Sequence, residues 1–189
     1  MKYTLAAVLI AVSLLSFGYT TYNFYAHKDE ITIRLADVFE KAALPYRIAK
    51  LSAMEPDTEL KVPILGITKS SIADTWGEAR QNGRTHEGVD IFARRGTPVF
   101  SATEGYVLRK GYGSIGGNYV YVIGKGGIRY YYAHLDSFSL NTDVGTKVTE
   151  DTVLGFVGTT GNASGTPPHL HFGMYKNGPQ NPYDLLVTR

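Results

Sequence analysis

The sequence contains no cysteine. That absence excludes disulfides, thiolate zinc sites, cysteine nucleophiles and lipid attachment to a cysteine, so any bound metal must be held by histidine and carboxylate. An excess of one charge sign is missing as well, since 19 Lys and Arg against 17 Asp and Glu leave a formal charge of +2. This balance gives no reason to expect nucleic-acid binding, while a pI near 8.7 does not repel an acidic polymer. Internal repeats and low-complexity tracts are also absent. What remains is a 189-residue chain, 43% apolar, with enough material for one domain with a real core and an appendage.

Charge is locally absent at the N-terminus. After Lys2, no acid or base occurs from Tyr3 to Ala26, and the run from Leu5 to Phe17 is strongly apolar. The run has the length of a signal-peptide core, and Ser16-Phe17-Gly18 fits a small-x-small cleavage site. The whole uncharged stretch is also long enough to span a bilayer, with Tyr19, Tyr22, Phe24 and Tyr25 placed as an interfacial aromatic belt. The expectation is a signal anchor or signal peptide over 1–27, with the uncleaved anchor favoured. The rest of the protein would then lie outside the cytoplasm, in the periplasm or cell envelope, tethered to the cytoplasmic membrane.

Residues 28–55 read as a helical stalk or linker, with apolar positions Ile33, Leu35, Val38, Phe39 and Leu44 at mixed helical spacing and Pro45 as a breaker. From residue 56 to 189 the character changes to runs rich in Val, Tyr and Thr, punctuated by Gly and Pro. Strands are expected at Thr97–Ala102, Gly105–Tyr112, Asn118–Gly124, Ile128–Leu135, Val153–Gly158 and His169–Lys176. The segment Gly124–Gly127, GKGG, reads as a hairpin turn between two of them. The fold class is mainly β, an antiparallel sheet preceded by a hydrophobic helix and a short helical stalk.

Apart from His27, the histidines fall in three short stretches: THEGVD (Thr85–Asp90), YYYAHL (Tyr130–Leu135) and PHLHF (Pro168–Phe172). In an extended strand, residues i and i+2 share a face about 7 Å apart, so His169 and His171 address one spot. His86 and Asp90 would lie roughly 13 Å apart on a straight strand, too far for one ion. The chain must therefore curl, either through the permissive backbone of Gly88 or as a single helical turn. With one histidine of the later pair, His86 and Asp90 complete a three-ligand set that leaves a tetrahedral zinc ion one open position, the pattern of a catalytic site. Geometry alone does not choose between His169 and His171. On the same reasoning Tyr130, Tyr132 and His134 share one strand face, which places His134 near the metal if that face lines the cleft.

THEGVD, YAHL and TPPHLHF, in this order and with VLGFVGTTG between the last two, resemble the M23 family of zinc metallopeptidases, the lysostaphin-like or LytM-type enzymes. The resemblance spans about Pro63–Leu185, including SSIADTWGEAR and the closing NPYDLL. It implies a β-sheet cleft roofed by loops and one zinc ion per chain, held by His86, Asp90 and His171. It further implies His169 as the base that activates water, His134 as the partner that stabilises the transition state, and peptide bonds of peptidoglycan as substrate. Some members of the family lack ligands and act as wall-binding activators of other hydrolases. This is the alternative reading here, and it makes no use of an intact five-residue set. A regulatory protein partner is compatible with either reading.

Other polar residues take ordinary roles. Glu87 is expected at the surface, Asp136, Asp143 and Asp151 in turns, and Arg94-Arg95 in a solvated loop. Asn118 and Asn162 follow glycines at cleft-side loops, where local turn chemistry is the expected role and substrate contact the alternative. The segment VGTKVTEDTVLGFVG suggests a carrier-like hybrid barrel but has no lysine placed in a modifiable turn.

Overall fold

The computed structural model describes residues 13–17, 19–21, 32, 38–80, 83–140 and 142–189. The chain divides into two compact units, Met1–Leu44 and Pro45–Arg189. In the first, the described residues are helical. The hydrophobic segment expected over 1–27 lies mostly outside the described residues. Among those described, no helix is long and apolar enough to cross a membrane. Pro45 does not act as the expected breaker: residues 38–52 are helical through it. Its fixed φ is compatible with a helix, and the cost is confined to one missing donor and a local clash.

The second unit is built from short strands joined by tight turns. They are β1 (Leu60–Lys61), β2 (Val89–Phe92), β3 (Pro98–Phe100), β4 (Gly105–Gly113), β5 (Gly117–Gly124), β6 (Arg129–Phe138), β7 (Lys147–Val148), β8 (Val153–Val157), β9 (His169–Tyr175), β10 (Pro179–Gln180) and β11 (Leu186–Val187). The six expected strands are β3, β4, β5, β6, β8 and β9, each displaced at its ends by at most three residues. GKGG forms the turn between β5 and β6, with Gly126 and Gly127 at φ of 67° and 69°. The main sheet runs β10-β9-β6-β5-β4-β7, with β2 also paired to β9 and β8 bridging β6 and β3. β1 and β11 form a separate parallel pair.

Strand β9 organises the unit because it is flanked on one side by β2 and on the other by β6. Its alternation sends Leu170 and Phe172 into the core, both fully buried, and leaves His169 and His171 on the opposite face. Val89 and Ile91 of β2 join the same core with Tyr130, Tyr132 and Leu135 of β6. Each large apolar side chain fully buried here contributes roughly 1.5–3 kcal/mol.

The expectation that Tyr130, Tyr132 and His134 share a face is overturned. Tyr130 and Tyr132 are buried in the core, whereas His134 lies on the cleft side with Tyr131 and Ala133. The cause is a bulge: β5 and β6 pair Val120 with Tyr132 but Asn118 with Leu135, so Ala133 and His134 together oppose Tyr119. The extra residue reverses the phase of the strand. His134 takes the strain, with φ of 62°, and its N–H donates to Gly116 O at 2.8 Å.

The core side of β6 carries one polar anchor. The Tyr132 hydroxyl accepts the Ala102 N–H at 2.9 Å, with both residues almost fully buried. Tyr132→Phe leaves that N–H without its partner and is expected to cost about 1–3 kcal/mol, read as a lowered midpoint in chemical denaturation.

Candidate metal centre

Register creates the first half of the site. Asp90 of β2 stands directly opposite His171 of β9, while the small Ala133 of β6 is opposite His171 on its other side. No strand was expected at Val89–Phe92, yet it is this pairing that brings Asp90 to the histidine. His86 enters from the preceding segment, its N–H donating to Glu78 O at 2.8 Å. The curl between them is a bend at Gly88, and the helical turn considered for it does not form. Gly88 has no positive φ. A Cβ there would lie 2.5 Å from Phe172 O and 2.8 Å from the His171 ring, so close packing against the site requires the glycine.

Three atoms converge. His86 Nε2 is 2.8 Å from His171 Nδ1, and Asp90 Oδ1 is 3.1 Å from each of them. Ligands about 2.1 Å from a zinc ion at tetrahedral angles lie about 3.4 Å apart, so the triangle has the size of a slightly compressed tetrahedral face. The donor set fits as well. The His86 Nδ1–H donates to Thr75 O at 2.7 Å, and because a carbonyl only accepts, Nε2 keeps its lone pair. Two imidazole nitrogens and a carboxylate oxygen converging on one point suit a divalent cation.

Asp90 is further held from outside. Its Oδ2 accepts from Arg80 Nη2 at 2.8 Å, and its backbone N–H donates to Thr75 Oγ1 at 3.2 Å. Burial by itself raises the Asp90 pKa, but hydrogen bonds and charge from His171 and His86 outweigh it and hold the carboxyl well below its usual range. Burial lowers the His171 pKa. The site therefore favours an ionised Asp90 carboxylate and disfavours the charged form of His171, both of which suit metal binding.

The other two histidines stand beside this set. His169 Nε2 is 4.0 Å from Asp90 Oδ1, and the His169 ring lies 5.0 Å from that of His134. The His169 Nδ1–H donates to Pro167 O at 2.9 Å, and the His134 Nδ1–H donates to Thr160 O at 2.9 Å. Both rings thus keep Nε2 as the unprotonated nitrogen. Burial pushes the His134 pKa down to about 4, partly countered by the Thr160 carbonyl. Phe92 packs against His169 with ring centroids 5.3 Å apart. All five residues line one cleft of about 790 Å³.

Thr75, Arg80 and Thr160 were not singled out by sequence. Thr75 and Thr160 hold the imidazoles of His86 and His134 through backbone carbonyls, which any residue type supplies, while their hydroxyls accept the N–H groups of Asp90 and Asn118. Arg80 closes the segment SSIADTWGEAR, which the resemblance covered without giving it a role. Two of the expected turn residues lie in strands instead: Asn118 belongs to β5 and its Nδ2 donates across the ladder to Leu135 O at 3.0 Å, and Asp136 belongs to β6, where it pairs with Arg95. Lys110 pairs with Asp143 at 2.6 Å, and Asn162 lines the cleft.

The profile of peptidase family M23 matches residues 84–182, the segment that holds all four cleft histidines and Asp90. The chain belongs to peptidase family M23. It is 41% identical over 117 residues to an L-Ala–D-Glu endopeptidase of Bacillus subtilis, an alignment covering 58% of this chain and 36% of that protein. The chain thus spans little more than a third of this curated relative. In three dimensions it resembles the catalytic domain of lysostaphin from Staphylococcus simulans, with a TM-score of 0.53 and 33% identity over 59% of this chain and 88% of that one. It also resembles a zinc-containing peptidase from Vibrio cholerae, with a TM-score of 0.52 and 25% identity over 65% and 38% of the two chains. The M23 family and the antiparallel lysostaphin-like sheet expected from the sequence both stand.

The candidate site yields two expectations. Arg80→Ala frees Asp90 Oδ2 and is expected to weaken Zn2+ binding by about 10- to 100-fold, the usual effect of losing a group that orients a ligand. Competition against a chromophoric chelator measures it. The second concerns pH. Because the folded pKa of His134 lies below its unfolded value of 6.5, the unfolded chain binds the proton first. Stability of the chelated protein is therefore full above pH 6.5 and lost as pH falls toward 4, by about 3 kcal/mol from this group. Urea denaturation at a series of pH values checks the slope.

Proposed function

We propose that the chain is a zinc endopeptidase that hydrolyses peptide bonds in peptidoglycan outside the cytoplasm. The observation that carries this reading is the convergence of His86 Nε2, Asp90 Oδ1 and His171 Nδ1 to 2.8–3.1 Å, with two further imidazoles beside them in the same cleft. His86, Asp90 and His171 would hold one Zn2+ per chain. When bound, zinc lowers the pKa of water and polarises a carbonyl, which suits amide hydrolysis.

The protein's own groups divide the remaining work. His169, with its Nδ1–H committed to the Pro167 carbonyl, offers Nε2 to take the proton of the attacking water, and the nearby Asp90 carboxylate stabilises the imidazolium that results. His134 can donate to a developing oxyanion only when Nε2 is protonated. Burial disfavours that cation, so this role requires His134 to take up a proton from solvent as negative charge develops beside it.

A bond between L-alanine and D-glutamate does not occur in ribosomally made chains, and the B. subtilis relative is named for cutting it. That name and the family resemblance support wall peptide as substrate. The uncharged N-terminal stretch supports export and a membrane tether.

The test uses the full chain on purified wall. Wild type should contain about one zinc per chain and release muropeptides. His169→Ala should keep the zinc and lose about 10²–10⁴-fold in rate; His86→Ala should lose both. Fragments released equally by wild type and His86→Ala would remove the enzymatic claim and leave the activator alternative.

A further inference from the structure

The cleft has an aromatic floor that the catalytic reading does not use. Tyr121 of β5, Tyr131 of β6 and Tyr175 of β9 come from three adjacent strands and line the cleft beside the histidines. Tyr121 and Tyr131 face each other in the ladder, and their rings stack at 4.5 Å and 28°. Tyr175 is 6.4 Å from each of them, and Tyr131 is 5.9 Å from the His171 ring. The aromatic surface is therefore continuous with the candidate metal ligands.

Glycines let these rings lie down. A Cβ at Gly173 would come within 3.0 Å of Tyr175 Cε2 and 3.3 Å of its hydroxyl, so the ring is laid along the strand instead of standing off it. The Tyr131 hydroxyl likewise occupies the space that a Cβ at Gly116 would take. The Tyr121 and Tyr131 hydroxyls have no hydrogen-bond partner among the described residues. The Tyr175 hydroxyl donates to Glu87 O at 3.5 Å, which leaves those of Tyr121 and Tyr131 as the rim groups open to a ligand.

The ligand chemistry follows from what the floor lacks. β6 is paired on both sides, with β5 and β9, so its backbone groups are engaged in the ladders. A peptide lying across the floor therefore finds no free edge on β6 itself to pair with. The floor offers ring faces with hydroxyls at the rim, which matches a hexopyranose: an apolar C–H face bordered by hydroxyl and amide groups. In peptidoglycan the peptide is attached to such a sugar.

We propose that Tyr121, Tyr131 and Tyr175 form a subsite for one N-acetylhexosamine ring of the glycan strand that bears the peptide. This rests on peptidoglycan being the substrate. The full chain is assayed on a disaccharide-peptide and on the same peptide stripped of sugar. Wild type should show a KM about tenfold lower for the glycosylated substrate. Tyr121→Ala and Tyr175→Ala should abolish that ratio, and Tyr121→Phe should retain it, with zinc content per chain verifying the fold of each variant. Equal KM values in wild type, or a ratio that survives both alanine variants, overturn the subsite. Should wild type cleave neither substrate, the peptidase reading fails. Titration with a β-1,4-linked N-acetylglucosamine tetramer then decides the subsite alone: saturable binding lost in Tyr121→Ala and kept in Tyr121→Phe supports it, and no binding overturns it.

Discussion

The approach of His86 Nε2, Asp90 Oδ1 and His171 Nδ1 to within 3.1 Å is the contact on which the rest of the unit depends. Crowding three lone-pair-bearing atoms in a buried place is unfavourable unless a cation joins them or each is restrained from outside. Restraint is present at every corner. The Thr75 carbonyl holds His86, the Arg80 guanidinium holds Asp90, and ladders on both sides hold His171. An ionised carboxylate beside two imidazoles is the donor set that a divalent ion would use, so such an ion would act on the same contact that the fold restrains.

Two strands position the histidines by opposite means. β9 keeps the strict two-residue period, which puts His169 and His171 on the cleft and Leu170 and Phe172 in the core. β6 breaks the period at Ala133 and His134. An L-residue at positive φ costs roughly 1–2 kcal/mol, offset here by the hydrogen bonds of His134 to Gly116 O and Thr160 O. The break lets one strand bury Tyr130, Tyr132 and Leu135 while presenting Tyr131 and His134 to the cleft.

These differences explain what was legible in the sequence. The long strands show as Val- and Tyr-rich runs between glycines, and the shared face of His169 and His171 follows from pleat geometry alone. β2 is four residues long and begins beside a glycine, so its local signal is weak, although its pairing with β9 places Asp90. The bulge in β6 is invisible to a period-two rule, because nothing in YYYAHL marks where the phase changes; the consequence was a wrong partner set for His134. The chain bends at Gly88 as expected, and the glycine is needed for a second reason that local sequence does not show, space against His171 and Phe172 O. Thr75 and Thr160 hold the imidazoles through main-chain oxygens, which carry no residue signature; only their hydroxyl contacts to the Asp90 and Asn118 N–H groups depend on residue type.

Proton placement is set by a different part of the molecule from position. His86, His134 and His169 each donate Nδ1–H to a backbone carbonyl, those of Thr75, Thr160 and Pro167, and all three carbonyls lie in connecting segments. In His171 alone Nδ1 turns inward to Asp90. The sheet therefore decides where each ring stands, and the loops decide which of its nitrogens keeps a lone pair. A loop change that moves the Thr160 or Pro167 carbonyl would alter the tautomer and basicity of a cleft histidine without displacing any strand. Reactivity in this architecture can thus be retuned by loop substitutions that leave the cleft histidines and Asp90 in place.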